Sequence, residues 1–522
     1  MKILILAYNT KDFLSCAHLV NQYRAHSDRN EIHISCFQES ANLAKLIPYV
    51  KQVHVVDRKK IQTFKSRQIY SDAHALNLFW NALTPMRSEV WDEIYTYSCD
   101  QFTALIASFL NTKKIKGVSF NPNKSLHASS TMAMLKLISQ NNASTIHAHD
   151  LDTQINSLPF TKGSHLNIDR EFINLANENF KIIRKKLAHT KTEVKFVGIQ
   201  FVGDDGQLAI EEHELISLVD SLYKSDSYYP ILLIQGDAEE KEVINLINKS
   251  FNNQIITINA DLYVAGAVLK NLDLVICANQ SYLQLADLCE TSSLCVHPNT
   301  SFYQNGSSLI NSLTAVRRTE EANIGPSLYA TIEYYFENTK ITRSELDLYL
   351  TAQDELGIIY RPLYSQNARR DIEYFLSRQV AAKVFAQTEI FHAVGHEKEM
   401  SRYITEQKEP MTTILRTLLS TIRSFINAKN STRNTHEFLI GMDKLFNFSN
   451  EKNLCSSVVH YFKARIENAP YGNSEENHRY VEKCLFELKN NLQTISQILV
   501  STSERIHRSA NPAANTKSEL SL

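Results

Sequence analysis

Short apolar runs alternate with helical patterns twice along the chain, and this repeated alternation limits the possible folds more than any other feature. The first set has apolar runs at 2–8, 31–37, 52–57, 93–99 and 116–120. The second set follows a helical segment at 170–189 and has runs at 194–202, 229–236, 254–260, 272–278 and 293–298. Strands that alternate with helices form parallel βαβ units with helices on both faces of the sheet. The sequence therefore predicts an α/β fold of two Rossmann-like domains that face each other across a cleft.

The remaining segments predict connections and a helical extension. Residues 121–169 are rich in Asn, Ser, Thr and His, which favours a loop and an inter-domain connection. After about residue 310 strand-like runs nearly vanish, and helical patterns continue to 508. We therefore predict an N-terminal Rossmann-like domain at 1–165, a C-terminal Rossmann-like domain at 166–310, a helical extension at 311–508 and a disordered tail at 509–522.

Two helical patterns in the extension each allow two interpretations. The first has a seam of apolar residues at Val481, Leu485, Leu488, Leu492, Ile495 and Leu499. This spacing favours an intramolecular helix bundle over a coiled-coil dimer, and it leaves the oligomeric state open. The second is the stretch ILRTLLSTIRSFI at 414–426, for which a core-facing helix is favoured and a membrane-surface helix stays open.

Composition excludes several classes of protein. The formal net charge is -1, so nothing in the overall charge indicates binding to nucleic acid. The eight cysteines show no CxxC spacing, which favours free thiols in a reducing compartment over disulfides or a zinc site. The first apolar run is too short for a signal peptide, and no run is long enough to span a membrane. We expect a cytoplasmic protein, with peripheral contact at the inner face of the cell membrane left open.

Five segments within residues 1–310 carry motifs whose order and spacing are informative. In the first half they are the loop with Asp12, IPYVKQVHVVDRKK at 47–60, and WDEIYTYSCDQFTALIASFLNTKKIKGVSF at 91–120. In the second half they are ILLIQGDAEEKEVINLI at 231–247 and the stretch 259–299. Together they resemble the ADP-heptose:lipopolysaccharide heptosyltransferases, glycosyltransferase family 9, in a divergent form.

This resemblance implies a GT-B-type fold and a specific reaction. It implies inverting transfer of a sugar, heptose in the first instance, from a nucleotide-diphospho-sugar to a cell-envelope glycan such as the lipopolysaccharide core. The expected partners are the nucleotide-sugar, with ADP-heptose as the expected donor, and a glycan or glycolipid acceptor. No metal and no further cofactor is expected for this chemistry.

Asp12, in the loop after the first strand, is the candidate catalytic residue. Inverting transfer needs a general base for the acceptor hydroxyl, and the resemblance implies an aspartate at this point of the chain. The loop is about one residue shorter than is usual in the family, so the match is approximate. An aspartate here is also a good N-cap for the first helix, and both interpretations stay open.

Gly203 and Glu239 are the first two candidate donor-binding residues. Gly203, in the loop FVGDDGQ, permits close approach of the backbone to a diphosphate. The adjacent Asp204 and Asp205 would repel phosphate, and they favour a plain surface turn. Glu239 stands where the family's glutamate contacts the ribose, although a carboxylate in the first turn of a helix is favoured by the helix dipole alone.

The stretch NQSYLQ replaces the family's donor-binding D-T-G-x-x-H motif. The positions of its aspartate, threonine, glycine and histidine are taken here by Asn279, Gln280, Ser281 and Gln284. Each replacement can form hydrogen bonds, but both titratable groups are lost, and a side chain at the glycine position limits how near a ligand can come. The sequence therefore predicts donor binding at this helix start. It leaves two alternatives, a catalytically inactive binding or scaffold protein and a glycosyltransferase that modifies proteins.

Overall fold

The structure is a computed structural model of the 522-residue chain. It describes residues 1–9, 13–65, 71–120, 125–139, 144–159, 166–188, 193–236, 238–259, 261–297, 302–319, 322–391, 396–428, 432–451, 453–469 and 472–510.

The first domain is built on a parallel sheet. Its strands are β1 (Lys2–Leu6), β2 (Glu31–Phe37), β3 (Val50–Val56), β4 (Val90–Trp91), β5 (Glu93–Thr96), β6 (Asn111–Thr112), β7 (Ile115–Lys116), β8 (Val118–Phe120) and β9 (Leu126–Ala128). Its helices are α1 (Cys16–His26), α2 (Ala41–Ala44), α3 (Arg58–Lys65), α4 (Ser71–Arg87), α5 (Gln101–Ser108), α6 (Thr131–Ser139) and α7 (Ala148–Asn156). The strand order is β3-β2-β1-β5-β7, with all pairs parallel. The order reverses direction between β1 and β5, which makes this gap the topological switch point of the sheet.

The second domain follows a long helix, α8 (Arg170–Leu187). Its strands are β10 (Lys195–Gln200), β11 (Tyr228–Ile234), β12 (Ile256–Asn259), β13 (Leu274–Cys277), β14 (Ser293–His297), β15 (Leu313–Arg317), β16 (Leu346–Asp354) and β17 (Gly357–Tyr364). Its helices are α9 (Glu212–Lys224), α10 (Ala238–Ser250), α11 (Leu262–Leu269), α12 (Gln280–Leu288), α13 (Phe302–Asn305) and α14 (Gly325–Glu337). The sheet order is β12-β11-β10-β13-β14-β15-β16-β17, and its switch point lies between β10 and β13.

The predicted α/β fold with two Rossmann-like domains is confirmed, and so are nine of the ten predicted strands, within a few residues at each end. The tenth, 116–120, is divided between β7 and β8, which lie in different sheets. The apolar runs are buried on both faces, as parallel strands covered by helices require. This arrangement is of the GT-B type, with a helical region at the C-terminus.

Two sequence predictions about organisation are wrong. Strand-forming sequence does not end at 310, because β15, β16 and β17 extend the second sheet to Tyr364. The polar stretch 121–169 is not only a connection, since α6 and α7 lie within it. Polar residues interrupt the apolar residues of β16, and Arg361 and Pro362 interrupt those of β17, which weakens the apolar pattern that predicts a strand.

The C-terminal region is helical from residue 368 onward, as predicted. Its helices are α15 (Ala368–Val380), α16 (Glu397–Asn427), α17 (Thr432–Asn447), α18 (Ser456–Glu467) and α19 (Ser474–Ala510). A π-helical turn at Ala381–Ala386 follows α15. The apolar seam of α19 is buried within the chain, which confirms the intramolecular interpretation of that pattern. Of the predicted disordered tail, residues 511–522 lie outside the described part of the chain.

One contiguous hydrophobic core joins the three regions and fixes the domains relative to each other. Polar contacts reinforce it where the helical region meets the two sheets. The guanidinium of Arg378, on α15, is fully buried and donates to both carboxylate oxygens of Asp354 at 2.7 and 2.6 Å. It also donates to the carbonyl of Thr145 in the first domain at 3.1 Å. The helical region is therefore attached to both α/β domains.

Candidate active site

A cavity of about 350 Å³ lies between the two domains, at the carboxyl ends of the parallel strands. Asn9 follows β1 and Ser98 follows β5, so the switch point of the first sheet supplies one wall. Gln280 and Gln284 on α12, which follows β13, supply the facing wall. Ligands of open α/β sheets bind at such switch points, so this cavity is the candidate active site.

The wall from the first domain is held by hydrogen bonds at the ends of its strands. The hydroxyl of Ser98 accepts the backbone N–H groups of Tyr8 at 2.9 Å and Asn9 at 3.0 Å. These bonds tie the loop after β1 to the loop after β5. Lys136 on α6 also lines the cavity, where its ammonium group donates to the carbonyl of Tyr97 at 2.7 Å and forms an ion pair with Asp152.

Two histidines at the start of α7 line the same wall. His147 is the N-cap of α7, and its Nδ1 accepts the backbone N–H of His149 at 3.2 Å. Its Nε2 donates to the carbonyl of Gly306 in the second domain at 3.1 Å, and these two bonds together fix the tautomer. Burial lowers the pKa of His147 to about 4 and the pKa of His149 well below its usual value. Both imidazoles are therefore neutral at pH 7, and His147 links the two domains.

The facing wall contains a buried carboxyl group. Asp287 on α12 accepts hydrogen bonds from the Ser307 hydroxyl at 2.6 Å and from Ser308, through its backbone N–H at 2.6 Å and its hydroxyl at 2.8 Å. Burial raises the pKa of Asp287 to about 6, although these donors act in the opposite direction. Asp287 thus organises the loop after α13.

Gln284 differs from its neighbours because its amide oxygen is buried without a hydrogen bond from any described residue. The residue is only 4% exposed and lines the cavity. A buried polar atom without a partner is unfavourable, so a ligand group that reaches this oxygen and donates to it would gain about 1 kcal/mol net. Gln284 is the lining residue that points most directly to a ligand.

The N-terminus of α12 is already occupied by side chains of the chain itself. The Asn279 side chain accepts the N–H groups of Ser281 at 2.9 Å and Tyr282 at 3.3 Å. The N–H of Gln280 donates to a carboxylate oxygen of Asp204 at 3.0 Å. An anion bound at the start of α12 would need the first three N–H groups of the helix. All three already donate hydrogen bonds within the chain, and one of them donates to a carboxylate.

The structure brings together some of the predicted site residues and not others. Gln280 and Gln284 line the cavity, while Asn279 and Ser281 take part in capping α12. Gly203 lies in a closed turn in which its N–H donates to the carbonyl of Gln207 at 2.7 Å. Asp12 lies outside the described residues.

Glu239 lies in the first turn of α10, as predicted, but its side chain is outside the described part of the chain. The next residue, Glu240, is buried and accepts the backbone N–H groups of Gln235 at 2.8 Å and Gly236 at 2.7 Å. Glu240 therefore closes the turn between β11 and α10.

The described lining of the cavity carries two carboxyl groups, Asp100 and Asp287, and one cation. Among the lining residues that the structure describes, Lys136 is the one lysine or arginine, and Asp152 neutralises it. The remaining lining groups are mostly amides, hydroxyls and neutral imidazoles, which suit the hydroxyl groups of a sugar. Within the described ranges, no group of three or more His, Cys, Asp or Glu residues is placed to hold a metal ion.

The contributions of Lys136, His147 and His149 were not predicted from the sequence. All three lie in the stretch 121–169, which was expected to be a connection. The signal was available in the motif HAHD at 147–150, where two histidines and an aspartate stand together in a polar segment of a chain with 18 histidines. A dense group of this kind favours a site over a linker.

No family model matches the chain, and no curated protein matches it. Among solved structures, a glycosyl transferase of family 9 from Veillonella parvula is similar at 13% identity and a TM-score of 0.46, covering 64% of this chain and 90% of its own. An Escherichia coli heptosyltransferase with ADP is similar at 12% identity and a TM-score of 0.46, covering 64% of this chain and all of its own. Escherichia coli ADP-heptose lps heptosyltransferase II is similar at 12% identity and a TM-score of 0.45. These likenesses are to the family that the sequence motifs resemble, at similarity levels that define no activity for this chain.

Proposed function

We propose that the chain is an inverting glycosyltransferase that takes a sugar, heptose in the first instance, from a nucleotide-diphospho-sugar such as ADP-heptose. The acceptor is a cell-envelope glycan such as the lipopolysaccharide core. The observation that carries the proposal is the cavity between the two switch points, with the unpartnered amide oxygen of Gln284 in its wall. A donor bound there would place its sugar among hydroxyl groups, amides and neutral imidazoles, with the carboxyl groups of Asp100 and Asp287 also in the lining.

Asp12 remains the proposed general base. It is flanked in the sequence by Asn9 and Ser15, both of which line the cavity. A carboxylate in this segment would take a proton from the acceptor hydroxyl as that oxygen attacks the anomeric carbon, while the bond to the diphosphate breaks. Gly203, Glu239 and the residues Asn279, Gln280, Ser281 and Gln284 remain the proposed donor-binding set.

One observation favours a second function, a catalytically inactive binding or scaffold protein. The carboxylate of Asp204 takes the first N–H of α12, where the diphosphate would bind. The lining also lacks an unpaired lysine or arginine among the described residues. Such a cavity would still hold a sugar but would stabilise a departing diphosphate poorly.

Hydrolysis of ADP-heptose by purified protein separates the two functions. The transferase should release ADP, and release should fall by at least about 100-fold in Asp12→Ala, in line with the usual contribution of a general base. Asp28→Ala, which removes an exposed aspartate from the same domain, is the matched control. Binding without ADP release would favour the inactive protein. Transfer to cell proteins, but not to lipid extracts, would favour the protein-modifying alternative.

A further inference from the structure

A second cavity, of about 820 Å³, lies where the first domain meets the helical region. Leu135 on α6 and Thr145 line it on the side of the first domain. On the other side the lining comes from α15 and the π-helical turn after it, from α16 and α18, and from the connection between α17 and α18. Its volume lies within the range of about 300–1,000 Å³ that is usual for ligand sites. We call it the junction cavity.

The helical wall of the junction cavity is a fixed part of the fold. Tyr403 on α16 lines the cavity and is only 4% exposed. Further along, α16 buries Ile414, Leu418 and Ile422, which confirms the core-facing interpretation of the stretch 414–426. No helix in the described part of the chain is long and apolar enough to cross a membrane. The shape of the cavity is therefore set by a helix that is packed against the core of the chain.

Hydrogen bonds fix the segment that forms the opposite wall. The carbonyl of Ser144 accepts a hydrogen bond from the side-chain amide of Gln304 at 2.7 Å. The carbonyl of Thr145 accepts one from the buried guanidinium of Arg378 at 3.1 Å. The next two residues, 146 and 147, line the candidate active site instead. Consecutive residues of one segment thus line first one cavity and then the other, so the two cavities are neighbours.

Hydroxyl groups dominate the polar lining of the junction cavity. Six of its lining residues carry an aliphatic hydroxyl, namely Ser144, Thr145, Ser377, Ser449, Ser456 and Ser457. The described lining contains two carboxylates, Glu373 and Glu451, and no lysine or arginine. A phosphate or another anion would therefore be repelled.

Aromatic rings complete the lining. Phe385 and Tyr403 are buried residues that line the junction cavity. Their rings offer an apolar surface to a ligand, as is usual in ligand sites. Burial lowers the pKa of His460, so its imidazole is neutral at pH 7 and can donate one hydrogen bond and accept another.

The hydroxyl of Thr145 is the observation that points to a ligand. Its oxygen is buried, and no described residue forms a hydrogen bond with it. The hydroxyls of Ser377 and Ser457 likewise form no hydrogen bond with a residue in the described ranges. A hydroxyl both donates and accepts, as the hydroxyls of a sugar do. These three groups therefore complement a ligand that is rich in hydroxyl groups.

We propose that the junction cavity binds an uncharged oligosaccharide. The Ser and Thr hydroxyls would exchange hydrogen bonds with the sugar hydroxyls, and Phe385 and Tyr403 would contact the sugar rings. An amine fits less well, because Glu373 is already paired with Arg369 at 3.1 Å and Glu451 is exposed. None of the described lining residues lies on a strand, so a peptide could not bind here by adding a strand to a sheet. The proposal concerns binding alone and does not depend on the proposed activity.

An array of uncharged and acidic oligosaccharides, probed with the labelled full chain, tests the proposal. Uncharged oligosaccharides should be retained, and their phosphorylated or sialylated counterparts should be retained less. Calorimetric titration of the best-retained oligosaccharide then compares variants. Thr145→Val should lower its affinity about fivefold, the loss of one hydrogen bond, and Ser377→Ala with Ser457→Ala should lower it on the order of twentyfold. Thr145→Val should not lower the melting temperature, because the hydroxyl has no partner among the described residues.

Two control variants separate this site from the rest of the chain. Thr314→Val removes another buried hydroxyl that no described residue pairs, on β15 and outside the cavity lining, and it should leave the affinity unchanged. Gln284→Ala, in the candidate active site, should also leave it unchanged. Retention of no uncharged oligosaccharide, or a loss of affinity in Gln284→Ala but not in Thr145→Val, would overturn the proposal. Binding of spermidine that Glu451→Gln abolishes, without oligosaccharide binding, would assign the cavity to a cationic ligand instead.

Discussion

Replacement of Asp204 by Asn should strengthen the binding of ADP. In the structure the Asp204 carboxylate holds the N–H of Gln280 at 3.0 Å, at the positive end of the α12 dipole. A diphosphate that binds at this helix start must displace that carboxylate and then remain near it. Asn can still accept the same hydrogen bond but carries no charge.

The size of the effect follows from the charges. Two unit charges about 5 Å apart at a solvent-exposed site interact by about 0.8 kcal/mol, so a diphosphate with about two charges is repelled by about 1.5 kcal/mol. Loss of the carboxylate from the helix start releases a further contribution of about 0.3–1 kcal/mol that the ligand no longer has to overcome. We expect Asp204→Asn to lower the dissociation constant of ADP by about tenfold or more at low salt.

Isothermal titration calorimetry of ADP at low and high salt measures this change. Asp205→Asn is the matched control, because it removes an equal charge one residue away without freeing an N–H of α12, and it should change the affinity less. High salt should shrink the gain, since the site is exposed. If Asp204→Asn binds ADP no better than the unaltered chain, or if both variants gain equally, the account of Asp204 as a competing cap is wrong.

Three further predictions concern the contacts that hold the domains together. Gly357→Ala should lower the free energy of unfolding by at least about 2 kcal/mol in urea titrations, because φ is +111° and an added Cβ would lie 2.1 Å from the carboxyl carbon of Asp150; an unchanged midpoint would contradict this. Arg378→Met should cost about 3–5 kcal/mol in the same assay, since it removes the cation that pairs with the buried Asp354 carboxylate, and a variant as stable as the unaltered chain would show that this pair is not needed. Burial lowers the pKa of His147 from 6.5 to about 4 in the folded protein, so the unfolded chain binds this proton more readily. The contribution of His147 to the free energy of unfolding, about 3 kcal/mol, should therefore be lost as the pH falls from 6.5 to 4. The free energy of unfolding should fall less steeply with pH in His147→Asn than in the unaltered chain. Equal slopes would show that His147 does not cause this pH dependence.

The fold was largely predictable because its parallel strands are apolar on both faces. Runs such as residues 2–8 and 272–278 cannot be exposed, and the helical spacing between them leaves few alternatives to βαβ units. The strands β16 and β17 escaped prediction because polar residues such as Asp347 and Thr351 break the apolar pattern of β16, and Arg361 and Pro362 break that of β17. Their burial depends on α15, whose Tyr374 and Phe375 pack on the two strands, and no local sequence pattern indicates this contact.

The site was less predictable than the fold. Gln280 and Gln284 could be placed because α12 follows a strand at the switch point, a relation that the order of elements alone supplies. The interaction of Asp204 with Gln280 joins residues that are 76 positions apart, and no local pattern indicates it. His147 and Lys136 likewise acquire their roles from contacts across domains and helices, which spacing along the chain does not show.

The most direct test of a sugar-nucleotide site between the two sheets is calorimetric titration of ADP-heptose into the purified chain and into Gln284→Ala. We predict saturable binding that weakens by about threefold to tenfold in Gln284→Ala, the loss of one hydrogen bond to the buried amide oxygen. Gln353→Ala, which changes an exposed glutamine on β16, should bind as the unaltered chain does. No binding, or binding that Gln284→Ala leaves unchanged, would contradict the assignment of the cavity.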